Sequence, residues 1–237
     1  MPDKIDTRVS PALDPETYRA IEGYEENAQF VGGVVNAMND AYVTLGKVHD
    51  ARRLADSNGA FTEEQRILHV GQVAEEHKLR ILKRLDLAER DLAATIAHTE
   101  EQLMRPLTEQ AGLGSLNGEV RAFARGLDRS EREAFMNATL EGDDEPTLTA
   151  ILGAQSFLSG LTPLDHDHYL RLYHQKRRPD LVRRLDVMQR FRDRLDRIAP
   201  IVHEQFAKPV GAKPGIVAAL SKANEQALAA LKIEPTV

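Results

Sequence analysis

Residues Asp56–Gln65 read DSNGAFTEEQ, and the fold follows from how this stretch is parsed. Ser57-Asn58-Gly59 has helix-ending chemistry, because Asn and Gly take the left-handed conformation at little cost. Thr62, with Gln65 three residues later, has the spacing of a capping box, which starts a helix. A stop followed at once by a start predicts two helices joined by a short break.

On the N-terminal side, Tyr18, Ile21, Tyr24, Ala28, Val31, Val35, Met38, Tyr42 and Leu45 recur at steps of three and four. This spacing predicts one continuous helix from Pro15 with a single apolar stripe. On the C-terminal side, Val70, Ala74, His77, Ile81, Leu85, Ala88, Leu92, Ile96 and Leu103 continue the same rhythm to about Arg105, where Pro106 should end or kink the helix. Two such rods fold back as an antiparallel, coiled-coil-like hairpin over residues 15–106, an arm roughly 60 Å long at 1.5 Å per residue. Gly32-Gly33 inside the first rod costs about 2 kcal/mol relative to two alanines, which predicts a close helix approach there. Residues 1–14, polar and interrupted by Pro2 and Pro11, read as a flexible arm that orders on a partner.

Beyond Pro106 the elements shorten. A helix over Glu119–Leu127 is followed by one that a Ser130–Glu133 capping box opens and Leu140 closes. Asp144 caps a short apolar helix with Pro146 in its first turn, and Gly160 stops the segment. Further helices begin at Thr162, run from Pro179 to Phe206, and run from Pro214 to Leu231. Residues 107–237 therefore read as a compact bundle of short helices at the base of the hairpin, and the fold class is all-α.

Composition narrows the function. Charged residues make up 29% and aromatics 5%, with no Trp, a profile rich in helix formers. A formal charge of −6 argues against a nucleic-acid binder across the whole surface, leaving room for a local basic patch. The absence of Cys excludes disulfides, thiolate metal sites and a Cys nucleophile, and suits a reducing compartment such as a cytoplasm. No apolar run reaches the roughly 18 residues that cross a bilayer, and the first fifteen or so residues lack the apolar core of a signal peptide.

Leu164–Pro179, LDHDHYLRLYHQKRRP, holds the densest functional-looking chemistry. Asp165, His166 and His168 are metal-ligand types. Residues two apart on a helix stand about 200° apart, however, so the two imidazoles converge only if the first turn frays. Thr162 as cap, Pro163 at the first position and Asp165 in the first turn explain the same residues as a helix start. Lys176, Arg177, Arg178, Arg183 and Arg184 form a basic segment suited to phosphate or an acidic partner, since each guanidinium is a bidentate fork. Downstream, Asp180–Arg184, Asp186–Arg190 and Asp193–Arg197 have i,i+4 spacing, which neutralises a helix face from within. A hairpin centred near Gly59 would also bring His49 opposite His69. No Glu-x-x-His pair, nucleophile elbow or phosphate-binding loop is present, and no cofactor is implied.

Gly142–Pro163, GDDEPTLTAILGAQSFLSGLTP, with EVRAFARGLDRSERE before it and the preceding hairpin, resembles uncharacterised helical proteins of tailed bacteriophages. The resemblance covers roughly residues 40–170 and carries no catalytic residue. It implies a phage origin, with a role in the particle or its assembly inside the host cytoplasm. The expectation is a non-enzymatic, protein-binding or self-associating structural protein. The alternatives are a nucleic-acid-binding accessory protein using residues 176–184, and a metal-dependent hydrolase using Asp165, His166 and His168 or His49 and His69.

Overall fold

The computed structural model describes residues 6–231, and among these residues the only regular structure is helix. In chain order the helices are α1 (Pro15–Arg19), α2 (Tyr24–Ser57), α3 (Glu63–Leu113), α4 (Asn117–Gly126), α5 (Arg129–Glu141), α6 (Glu145–Leu152), α7 (Pro163–Arg177), α8 (Pro179–Leu195), α9 (Ile198–Ala207) and α10 (Pro214–Ala230). The chain divides into two compact units, Met1–Ala93 with Val187–Val237, and Ala94–Asp186. The sequence suggests a division at Pro106. The units divide earlier because the last turns of α3 bury Leu107, with Met104 beside it, in the core of the short helices.

In the first unit α2 and the start of α3 form the antiparallel pair. Arg52 meets Glu63 at 2.7 Å near the turn, and Asp40 meets Arg84 further along, so one strand of numbering falls as the other rises. The capping box is present, with the Gln65 amide donating to Thr62 Oγ1 and the Thr62 amide donating to Gln65 Oε1. The preceding helix stops differently from the expectation. Asn58 is extended, with φ −84°, and its side chain accepts from the Ala60 amide, so no left-handed residue is used. A Cβ added at Gly32 or Gly33 would meet nothing within 4 Å, so no close approach among the described residues accounts for them.

The helix expected from Pro15 is broken. α1 ends at Arg19, and Gly23 at φ +83° turns the chain into α2. A side chain at Gly23 would have to adopt a left-handed backbone and would put Cβ 2.9 Å from Val187 Cγ2. Tyr18 and Tyr24, on either side of this break, both pack against the Phe191 ring, at 5.9 and 6.2 Å. Burial raises the Tyr18 hydroxyl to about 12.

The segment expected as a free arm is docked. Val9 and Leu13 are buried, the Asp6 amide donates to Tyr42 Oη at 2.6 Å, and the Ser10 amide donates to Gln205 Oε1 at 3.0 Å. Arg8 binds both Asp6 and Asp50, and the guanidinium holds the Asp6 carboxyl down at about 2. Residues 1–5 of that arm lie outside the described residues. The hairpin therefore does not project bare. The segment before α1, α1 itself and α9 lie against α2. Buried positions on α2 accordingly spread beyond one stripe, to Val34, Ala37, Ala41 and Thr44.

The second unit is built from the short helices. α3 continues through Pro106 to Leu113. An internal proline costs about 3 kcal/mol, and burial of Leu103, Leu107 and Ala111 on one face offsets it. The capping box of α5 is Asp128 with Glu131, two residues earlier than expected, because Asp128 takes the extended cap conformation. Asp144 caps α6 and Gly160, at φ +73°, closes the turn that follows. The single helix expected over Pro179–Phe206 is two, α8 and α9, with a turn at Asp196-Arg197.

Candidate interaction surface

The residues singled out in Leu164–Pro179 are used mainly for structure. Thr162 Oγ1 donates to Asp165 and accepts from its amide at 3.1 Å, so Asp165 belongs to the start of α7. His166 Nε2 lies 3.2 Å from the Leu152 carbonyl, whereas His168 stands edge-on to Tyr169. The first turn of α7 is not frayed, and the two imidazoles diverge as regular helical geometry requires. Among the described residues no group of three or more His, Cys, Asp or Glu could hold a metal ion. His49 and His69 have different neighbours: His69 packs against Phe61, and His49 lies in the field of Asp6, Arg8 and Asp50. Burial, with Arg8 next, lowers the His49 imidazole below its ordinary range.

The basic segment is divided by the fold. Lys176 donates to the Leu140 carbonyl and pairs with Asp143 at 2.8 Å. Arg177 pairs with Glu145 at 2.7 Å and with Asp143 at 3.2 Å, and Tyr173 donates to the same Glu145. These two basic residues are thus spent on Asp143, in the loop before α6, and on Glu145, in its first turn. The sequence did not pair them because their acids lie some thirty positions away along the chain. Asp180 pairs with Arg178, at 3.6 Å. Arg178 and Arg184 also line a cleft with Arg105 and Gln102. Asp143 holds its double contact from a left-handed backbone, φ 60°, uncommon for a residue other than Gly.

A different surface stands out in the first unit, and its residues carry no motif. α10 (PGIVAALSKANEQALAA) is mainly apolar, yet none of its residues is buried. Val217, Leu220, Ser221 and Asn224 are half-buried along one side, and Glu225 through Leu231 are exposed. The helix touches the body at Gly71, where an added Cβ would come 3.0 Å from Val217 Cγ1. Upstream it is tethered through Gly211, at φ +74°, and through Arg52, whose Nη1 donates to the Val210 carbonyl. Between α3, α9 and α10 lies a groove of about 750 Å³. Ala74, Leu79, Phe206, Val210 and Val217 line it, with Glu76 and His203 also on its walls. Leu79, Ile216 and Leu228 are each more than half exposed, at 57%, 51% and 53%. Scattered exposed apolar residues are ordinary, whereas an apolar helix bordering an apolar groove makes this the candidate interaction surface of the first unit.

Comparison with known protein families, with curated proteins and with solved structures finds no match to this chain. No helix among the described residues is long and apolar enough to cross a membrane.

Proposed function

We propose that this chain is a non-enzymatic interaction protein that binds another protein, or a second copy of itself, across the groove formed by α3, α9 and α10. The observation that carries this reading is α10. Helices in water owe most of their stability to the packing of an apolar face, and α10 buries none of its residues. A partner helix laid into the groove would cover the walls from Leu79 to Val217 and give α10 that packing, a common mode of recognition for amphipathic segments. The hairpin, which the sequence suggests as the binding element, is less suited, because segments of the same chain already cover much of it. The resemblance of residues 40–170 to helical phage proteins supports particle assembly as the setting, and that part of the reading rests on the resemblance alone.

A photoreactive amino acid in place of Leu79 tests the proposal. Cross-linked products should form, at twice the chain's mass if the partner is a second copy, and Leu228→Asp should abolish them. Products that persist unchanged in Leu228→Asp, or that form equally from a probe at the exposed Leu164 in the other unit, would contradict it.

A further inference from the structure

The two long helices of the first unit enclose a small cleft of their own, about 270 Å³, with walls from α2 and α3. On α2, Asp40, Thr44 and Lys47 follow one another at steps of four and three, and on α3 Arg80 and Arg84 are four apart. Each set therefore shares one face of its helix. The ion pair of Asp40 with Arg84 fixes the register between the helices, and one turn along, Thr44 and Lys47 reach the same cleft as Arg80.

Two cations on these walls have no counter-ion. Arg84 is neutralised by Asp40, the only acid in the lining. Lys47 and Arg80 meet no carboxylate among the described residues. The acids nearest in sequence are engaged elsewhere: Asp50 holds Arg8 and Arg53, and Glu76 lines the groove at α10. Like charges on one cleft repel, and an anion between them turns that repulsion into attraction. Thr44 points the same way independently. Of the buried threonines, Thr99, Thr139 and Thr149 each donate to the carbonyl four residues back. Thr44, 7% exposed and in the lining, makes no side-chain hydrogen bond among the described residues. A buried hydroxyl left without a partner is costly, and a ligand oxygen in the cleft would satisfy it.

We propose that this cleft binds the phosphate group of a small phosphate monoester. The Arg80 fork and the Lys47 ammonium match its two charges, and the Thr44 hydroxyl donates to a remaining oxygen. A monoester is a dianion above about pH 6, whereas each linkage of a nucleic acid strand carries a single charge. No aromatic side chain lines the cleft to stack a base, and Val43 and Ile81 offer an apolar wall to the body of a small ester. The site shares no lining residue with the groove at α10 and stands independently of it.

Calorimetric titration of the full chain with phenyl phosphate, near pH 8 and at low ionic strength, tests the assignment. One saturable site per chain is expected. Lys47→Ala and Arg80→Ala should each weaken binding about tenfold or more, the scale of a lost charge-assisted contact. Both residues are exposed, so loss of fold does not confound the result. Thr44→Val, which keeps the side-chain shape and removes the donor, should weaken binding about threefold. Lys83→Ala removes an exposed cation close to Arg80 but outside the lining, and should stay within about twofold of the parent. A short single-stranded oligonucleotide should not displace the ester. Absence of saturable binding, or an equal loss in Lys83→Ala, would overturn the site in favour of a diffuse basic surface. Displacement by the oligonucleotide would overturn the assignment to a small monoester.

Discussion

The two units hold themselves together in different ways. The first joins parts of the chain far apart in sequence: Ser10 to Gln205, Arg52 to the Val210 carbonyl, and the Arg194 guanidinium to the Thr17 carbonyl and the face of Tyr18. Its core is aliphatic and aromatic, and polar groups serve mainly to tie the ends down. The second is one contiguous segment of short helices whose connections are clamped by side chains bonded to backbone. Arg132 alone donates to the carbonyls of Ala124, Leu127 and Gly160, and Arg121 donates to that of Ala150. Long helices satisfy their own backbone and need only an apolar seam, whereas short helices leave many terminal carbonyls that something must satisfy. The length of the elements therefore sets how much of each unit's stability is polar.

Substitutions can break or sharpen this contrast. The largest effect is expected from Phe191→Ala, which empties the space between Tyr18 and Tyr24. It should cost about 3–5 kcal/mol in urea denaturation, with amides of α2 and α9 losing protection before those of α6. Next, Arg132→Ala should cost about 2–4 kcal/mol, since it removes several charge-assisted bonds and leaves buried carbonyls unsatisfied. An Arg132→Lys variant should recover less than half of that, because an ammonium cannot span three carbonyls in the geometry of a fork. A loss below about 1 kcal/mol in Arg132→Ala would end the claim that clamps stabilise the second unit.

Acid should weaken the protein through His174. This side chain is buried, and neither ring nitrogen has a hydrogen-bond partner among the described residues. Burial, with Arg178 next, lowers its imidazole from 6.5 to about 4. The unfolded chain thus binds the proton first. The stability contribution is complete above about 6.5 and is lost as pH falls toward 4, on the order of 1 kcal/mol per pH unit. His174→Phe should flatten that slope in a denaturation series from pH 7 to pH 4. The smallest effect is expected from Thr62→Ala, about 1 kcal/mol, through the cap that restarts the chain after the hairpin turn.

What could be read in the sequence follows the same division. The aliphatic periodicity of α2 and α3 was legible because one apolar seam repeats many times, so one misjudged position does little harm. The capping box at Thr62–Gln65 and the caps Asp144 and Thr162 were legible because their partners lie three residues away. The break at Gly23 was missed although its signal was present, a glycine followed by Glu25 and Glu26 in the first turn of the next helix. The helix through Pro106 was missed for the opposite reason, because burial of Leu107 is a tertiary effect that outweighs a local rule. The partners of Lys176 and Arg177 were invisible for want of any local pattern, and the same holds for the arrival of Arg105 beside Arg178. The groove at α10 carries no motif at all; only its lack of burial marks it.

Amide hydrogen exchange over Pro214–Ala230 tests the central claim most directly, measured on the chain alone and again in the cross-linked assembly formed through position 79. The account predicts exchange in the free chain far faster than in α2, and marked slowing in the assembly while α5 and α6 stay unchanged. Protection of α10 equal to that of α2 in the free chain, or no slowing in the assembly, would contradict it.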